Sequence, residues 1–167
     1  MESERIAEGR EGKISDRHLN FRGATEIQMP VTSFLQESFM PTIFTRIING
    51  EIPCHKILED EKHLAFLDVR PIAVGHTLVV PKKEVDYIFD LDDQTMVELM
   101  SFSKKTARMI QKHVPCIKIG IMVAGLEVPH VHLHLVPIQK VTDLNFANAK
   151  PADQQELAKL AHKICGI

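Results

Sequence analysis

Three histidines alternate with aliphatic residues in His130-Val131-His132-Leu133-His134-Leu135-Val136, ahead of Pro137. Extended backbone sends successive side chains to opposite faces. A strand here therefore puts the three imidazoles on one face and Val131, Leu133 and Leu135 on the other. The aliphatic row suits a core, and the imidazole row must look into a site. Alternate residues lie roughly 6.5–7 Å apart along a strand, so the rings converge on a shared ligand more readily than on one another.

Such a row supports more than one chemistry. Imidazole serves as nucleophile, acid or base near neutral pH. Two histidines at i, i+2 are also a pair of metal ligands, but zinc needs a third or fourth donor at about 2.0–2.2 Å. His76 and Glu127 are the residues that could complete such a set. A solvated, histidine-rich edge strand is the plain alternative, and the full aliphatic alternation opposite argues against it.

The elements that must position these residues follow from pattern. Residues 43–49 read as a short helix stopped by Gly50 and Pro53. Residues 56–59 and 64–69 read as strands around the turn Asp60-Glu61-Lys62, and 75–80 as a third strand closed by Pro81. Asp92 is a good N-cap for a helix to about Gln111, with Met96, Leu99, Met100, Ala107 and Ile110 as its core face. Pro115 prevents much continuation. Residues 117–123 and 130–136 form two further strands joined by the loop 124–129, a connection short enough for an antiparallel pair. Asp153, with Glu156 three residues on, opens a last short helix. The expected fold is α+β: an antiparallel sheet of about five strands with a long central helix and short terminal helices.

Composition bounds the rest. At 167 residues the chain can bury a sizeable core unaided. With 44% hydrophobic and 25% charged residues it has ordinary globular composition. A net charge of −2 gives no basic surface for nucleic acid. Cys54, Cys116 and Cys165 are odd in number and contain no CxxC pair, pointing to a reduced cytoplasmic setting. No apolar run approaches the ~18 residues of a membrane span, and no signal-peptide apolar region opens the chain. Residues 1–39 are charged and aperiodic, which implies a disordered extension, with Met40 as the native start. The folded domain is then 40–167. His18, His55, His63, His113 and His162 are scattered and read as surface residues.

The alternating-histidine segment resembles the signature of the histidine triad (HIT) family of nucleotide hydrolases and transferases. Three further blocks carry the likeness, in the family's order: Ile43-Phe44-Thr45-Arg46-Ile47-Ile48-Asn49-Gly50-Glu51-Ile52-Pro53, then Ala65-Phe66-Leu67-Asp68-Val69-Arg70-Pro71, then Gly75-His76-Thr77-Leu78-Val79-Val80-Pro81. The resemblance covers roughly residues 41 to 140, and within the family the chain is similar to the Hint-like branch. It implies that His132 attacks the α-phosphorus of a nucleotide to form a nucleotidyl-histidine, that His130 orients it, and that His134 and His76 donate to the phosphate oxygens. It implies that Asp68 holds the ribose hydroxyls, that Ile43, Phe44, Phe66 and Leu67 sandwich the base, and that the amides of Glu127 and Val128 cradle the phosphate. Coupled protonation among crowded imidazoles follows. No metal or other cofactor is implied.

Two departures bear on the substrate. The phosphoramidase branch has a longer, glycine-rich loop before the triad, with Asn at its start and Ser or Gln three residues before the first histidine. Ala124 and Glu127 occupy those places in this chain. The chain also has no Trp, so the C-terminal Trp that some relatives bring to a partner's substrate is missing. The expected function is hydrolysis of purine nucleoside phosphoramidates or related nucleotidyl conjugates, by a homodimer. The alternatives are a dinucleoside polyphosphate hydrolase and a nucleotide-binding regulator with little turnover.

Overall fold

The structure, a computed structural model, describes residues 40–166. The expectations for a disordered 1–39 segment, for a start at Met40 and for His18 lie outside the described residues. The element order is α1 (Ile43–Ile48), β1 (Lys56–Glu59), β2 (His63–Leu67), β3 (Thr77–Pro81), α2 (Asp93–His113), β4 (Lys118–Met122), β5 (Leu133–Ile138) and α3 (Gln154–Cys165), with short 3-10 turns at Ile88–Asp90, Val141–Asp143 and Phe146–Asn148. The five strands form one antiparallel sheet in the order β1-β2-β3-β5-β4. The α+β expectation is met.

Local chemistry explains the helix starts. The Asp92 carboxylate accepts from the Thr95 amide, and Asp153 from the Gln155 and Glu156 amides. Thr42 does the same for Thr45 at the head of α1. These side chains satisfy amides that have no partner inside the helix.

The central strands β2, β3 and β5 are buried on both faces, with period two deciding which residue goes where. Ala65, Leu67, Val79, Leu133 and Leu135 pack against Leu99, Phe102 and Ile110 of α2 and Leu157, Ala161 and Ile164 of α3. Leu64, Phe66, Leu78 and Val80 face the other way and close on Phe44 of α1. His134 pairs with Leu78 in register, which puts its imidazole on the α1 face.

Several boundaries differ from the sequence reading. Strand β5 begins at Leu133, so His130 and His132 precede it; the alternation still holds, since Val131, Leu133 and Leu135 share one core. Strand β3 begins at Thr77, and His76 stands just before it. Strand β2 ends at Leu67, leaving Asp68 beyond it. Gly75 is required there: its φ is +86°, and a Cβ would come within 3.0 Å of Val114.

Two expectations about burial fail. Met100 is 43% exposed, while Phe102, Ser103 and Thr106 fill the inner face of α2. Thr106 and Ser103 are tolerated there because their hydroxyls donate to carbonyls four residues back. His63 is not a surface residue. Its ring stacks on Phe102 at 5.1 Å and bonds to Asp60, on the face of the sheet away from the triad.

Candidate active site

A cavity of about 360 Å³ opens between α1, the end of β2 and the triad segment. Ile43, Phe44, Phe66, Asp68, Glu127, Val128, His132 and His134 line it. Leu67 borders it too, but its side chain packs with Ala65 and Val79 on the α2 face, so it is not a wall for a base. His130 and His76 are fully buried behind the lining.

Hydrogen bonds fix the protons on this cluster. His132 Nδ1 lies 2.7 Å from the backbone carbonyl of His130. A carbonyl only accepts, so Nδ1 carries the proton and Nε2 keeps its lone pair. No protein group among the described residues occupies that Nε2. Phe44 meets the His132 ring edge-on at 4.9 Å and holds its plane.

The same logic runs through the other rings. His130 Nε2 donates to the Pro81 carbonyl at 2.8 Å, so its Nδ1 accepts from the Thr42 hydroxyl at 3.0 Å. The Ile72 amide donates to His76 Nδ1 at 3.1 Å. That places the His76 proton on Nε2, which donates to His134 Nδ1 at 3.0 Å. His134 is left with its proton on Nε2. The His76 proton is thus spent on His134. The expectation that His76 itself donates to phosphate is corrected: it holds His134 in the donor tautomer from behind.

Charge follows burial. Burial pushes the pKa of His76 down against the pull of Asp68. It lowers His130 too, partly opposed by the Pro81 carbonyl and Glu84. His134 falls to about 3, through burial first and then through the neighbouring His76 and His132. These three rings are therefore neutral at pH 7. The like-charge crowding expected from the sequence is part of the cause at His134.

Asp68 Oδ1 accepts from the Arg70 amide at 2.8 Å, and Oδ2 lies 3.3 Å from His76 Nδ1. Asp68, His76 and His134 offer ligand atoms within 4.8 Å of one another and are the metal-ligand candidates among the described residues. They do not converge, however. Asp68 sits at Nδ1 of His76 and His134 at Nε2, so the two neighbours flank opposite nitrogens of one ring. Glu127, the other ligand candidate from the sequence, is exposed at the rim.

The amides of Glu127 and Val128 donate to no protein acceptor among the described residues. Both are free for an anion's oxygens.

Three contributors escaped the sequence reading. Glu84 accepts from the Thr45 hydroxyl and lies 3.4 Å from the Thr42 amide and hydroxyl, tying α1 to the pocket of His130. Nothing in the run Lys82-Lys83-Glu84 marks this. Thr42 read only as the residue before a helix. Phe146, edge-on to His134 at 4.9 Å, walls the cavity from the far C-terminal side. A lone aromatic in the polar stretch 139–153 was its one signal.

The chain is similar to known proteins in sequence and in fold. The HIT domain matches residues 49–141. An uncharacterized HIT-like protein of Methanocaldococcus jannaschii is 38% identical over 123 residues, 70% of this chain and 95% of that protein. The adenosine 5'-monophosphoramidase of Schizosaccharomyces pombe is 34% identical over 99 residues, 59% of this chain and 74% of that protein. The crystal structure of a Hit-like protein involved in cell-cycle regulation from Bartonella henselae aligns at TM-score 0.67 with 30% identity, covering 75% of this chain and 94% of that one.

Proposed function

The chain belongs to the histidine triad family, and from that premise we propose that it hydrolyses purine nucleoside phosphoramidates or related nucleotidyl conjugates through His132. The observation that carries this is the 2.7 Å contact of His132 Nδ1 with the His130 carbonyl, which leaves Nε2 as the nitrogen free to attack beside the nucleoside-sized cavity. The activity of the S. pombe relative supports the same class of bond.

In the proposed reaction His132 Nε2 bonds to the α-phosphorus as the phosphorus–nitrogen bond breaks. The departing nitrogen keeps the electron pair, takes a proton from solvent and leaves as an amine. Water then attacks the same phosphorus, the bond to Nε2 breaks, and the nucleoside monophosphate leaves with a proton released to solvent. His134 Nε2–H and the amides of Glu127 and Val128 hold the non-bridging oxygens as charge builds on them. A ring with a pKa of about 3 does this as a neutral hydrogen-bond donor, not as a proton source. Asp68 takes the ribose hydroxyls, and Ile43, Phe44 and Phe66 flank the base.

We also propose that the enzyme works as a homodimer. Among the described residues strand β4 ends the sheet with an unpaired edge, and Ile121 on it and Met100 on α2 are exposed and line one surface cavity. No helix among the described residues is long and apolar enough to cross a membrane.

The test is hydrolysis of adenosine phosphoramidate with a chelator present, for the wild type and His132→Ala. Turnover by the wild type and its loss in the variant support the reading; turnover by both refutes the nucleophile.

A further inference from the structure

A second cavity, about 200 Å³, adjoins the nucleoside pocket. The two share His132, His134, Glu127 and Phe146, and the second is otherwise walled by Ala124, Gly125 and Leu126. We propose that this cavity receives the leaving group, and that it selects a small amine carrying a second, cationic centre. The inference rests on the phosphoramidase reading above and deepens it.

Position is the first argument. An α-phosphate presented to His132 and His134 from the nucleoside pocket has its remaining substituent to place. The second cavity is bordered by the same two rings. The larger cavity beyond Tyr87 and Phe89, about 720 Å³, touches His132 but not His134, so it does not flank the oxygens that His134 holds.

Size is the second. At about 200 Å³ against about 360 Å³, the cavity has room for a group the size of an amino-acid side chain.

Charge is the third. Glu127 is the one carboxylate among its lining residues, with no cationic side chain beside it there. No ion pair among the described residues engages Glu127. The Phe146 ring, half exposed, offers an aromatic face to a cation. A nucleotide leaving group would bring several negative charges to this carboxylate, whereas an ammonium-bearing chain meets it favourably. The replacement of the branch's Ser or Gln by Glu127 thus becomes a specificity element.

The experiment compares kcat/KM for three adenosine phosphoramidates whose leaving groups have one chain length: a linear diamine, the matching alkylamine, and the matching amino carboxylate. The wild type should favour the diamine over the alkylamine by roughly two- to fivefold, the reach of one exposed ion pair, with the carboxylate slowest. Glu127→Gln should bring the ratios toward one, and Glu127→Lys should reverse their order. Phe146→Ala should lower the rates for the alkyl-bearing substrates relative to the unsubstituted phosphoramidate. Equal wild-type rates, or a preference unchanged in Glu127→Gln and Glu127→Lys, would overturn the inference while the phosphoramidase reading stands. Hydrolysis of none of the phosphoramidates would overturn both.

Discussion

The backbone carbonyl of His130 accepts a hydrogen bond from Nδ1 of His132 at 2.7 Å, and that contact decides which nitrogen of His132 is free. The buried His130 ring is itself pinned at both nitrogens, by the Pro81 carbonyl and the Thr42 hydroxyl. Its carbonyl therefore has a fixed place. A parallel chain runs from the Ile72 amide through His76 to His134. One chain leaves a lone pair on its last nitrogen and the other leaves a proton, the pairing needed to attack a phosphorus while holding its oxygens.

Asp68 lies at the cavity wall with one oxygen already taken by the Arg70 amide. Asp68→Ala should weaken binding of a ribonucleoside monophosphate by roughly 1.5–3 kcal/mol, the range of a hydrogen bond to a charged group. The deoxyribo analogue should lose much less. Calorimetric titration with both ligands checks this, and equal losses would remove Asp68 from the ribose.

Glu84 connects α1 to the His130 pocket through Thr42 and Thr45. Glu84→Ala strands the partly buried Thr45 hydroxyl and Thr42 amide, so urea denaturation should show a loss of about 1–3 kcal/mol. Because α1 carries Ile43 and Phe44 of the cavity wall, KM for the nucleotide should rise more than kcat falls. Glu84→Gln, which can still accept, should recover most of both. A kcat-only effect would contradict this role.

His134 titrates near 3 when folded and near 6.5 when exposed. Between those values the unfolded chain binds the extra proton, so stability is full above about pH 6.5 and falls as the pH drops toward 3. From pH 7 to pH 5 this ring alone should cost about 2 kcal/mol, and His76 and His130, also lowered, act in the same direction. Urea midpoints across that range should fall, and His134→Gln should flatten the slope. A midpoint independent of pH would contradict the buried neutral cluster.

Met100 on α2 and Ile121 on the edge strand β4 are exposed apolar residues lining one surface cavity. Replacing both by Lys should convert a dimer to monomer in sedimentation velocity with little loss of thermal stability. A monomeric wild type, or a variant that stays dimeric, would place association elsewhere or remove it.

Much of the frame was legible because period two survives wherever the sheet is buried. Val131, Leu133 and Leu135 fell into one core as their alternation demanded, although the strand itself starts only at Leu133. Asp92 and Asp153 marked their helices because capping is a local effect. What stayed hidden depends on chain-distant contacts. Met100 fits a helical apolar stripe, but the stripe α2 buries is set by where the sheet lies. His63 looks like any strand-end histidine until Phe102 and Asp60 enclose it. Glu84 and Phe146 reach the site from segments with no pattern of their own.

The most direct measurement is a rapid-quench single turnover of adenosine phosphoramidate, followed by mass mapping of the nucleotidyl group. The account predicts a transient adduct on the peptide bearing His132, absent in His132→Ala, with the variant still binding the monophosphate to within about 1–2 kcal/mol of the wild type. An adduct on another residue, or full turnover by His132→Ala, would contradict it.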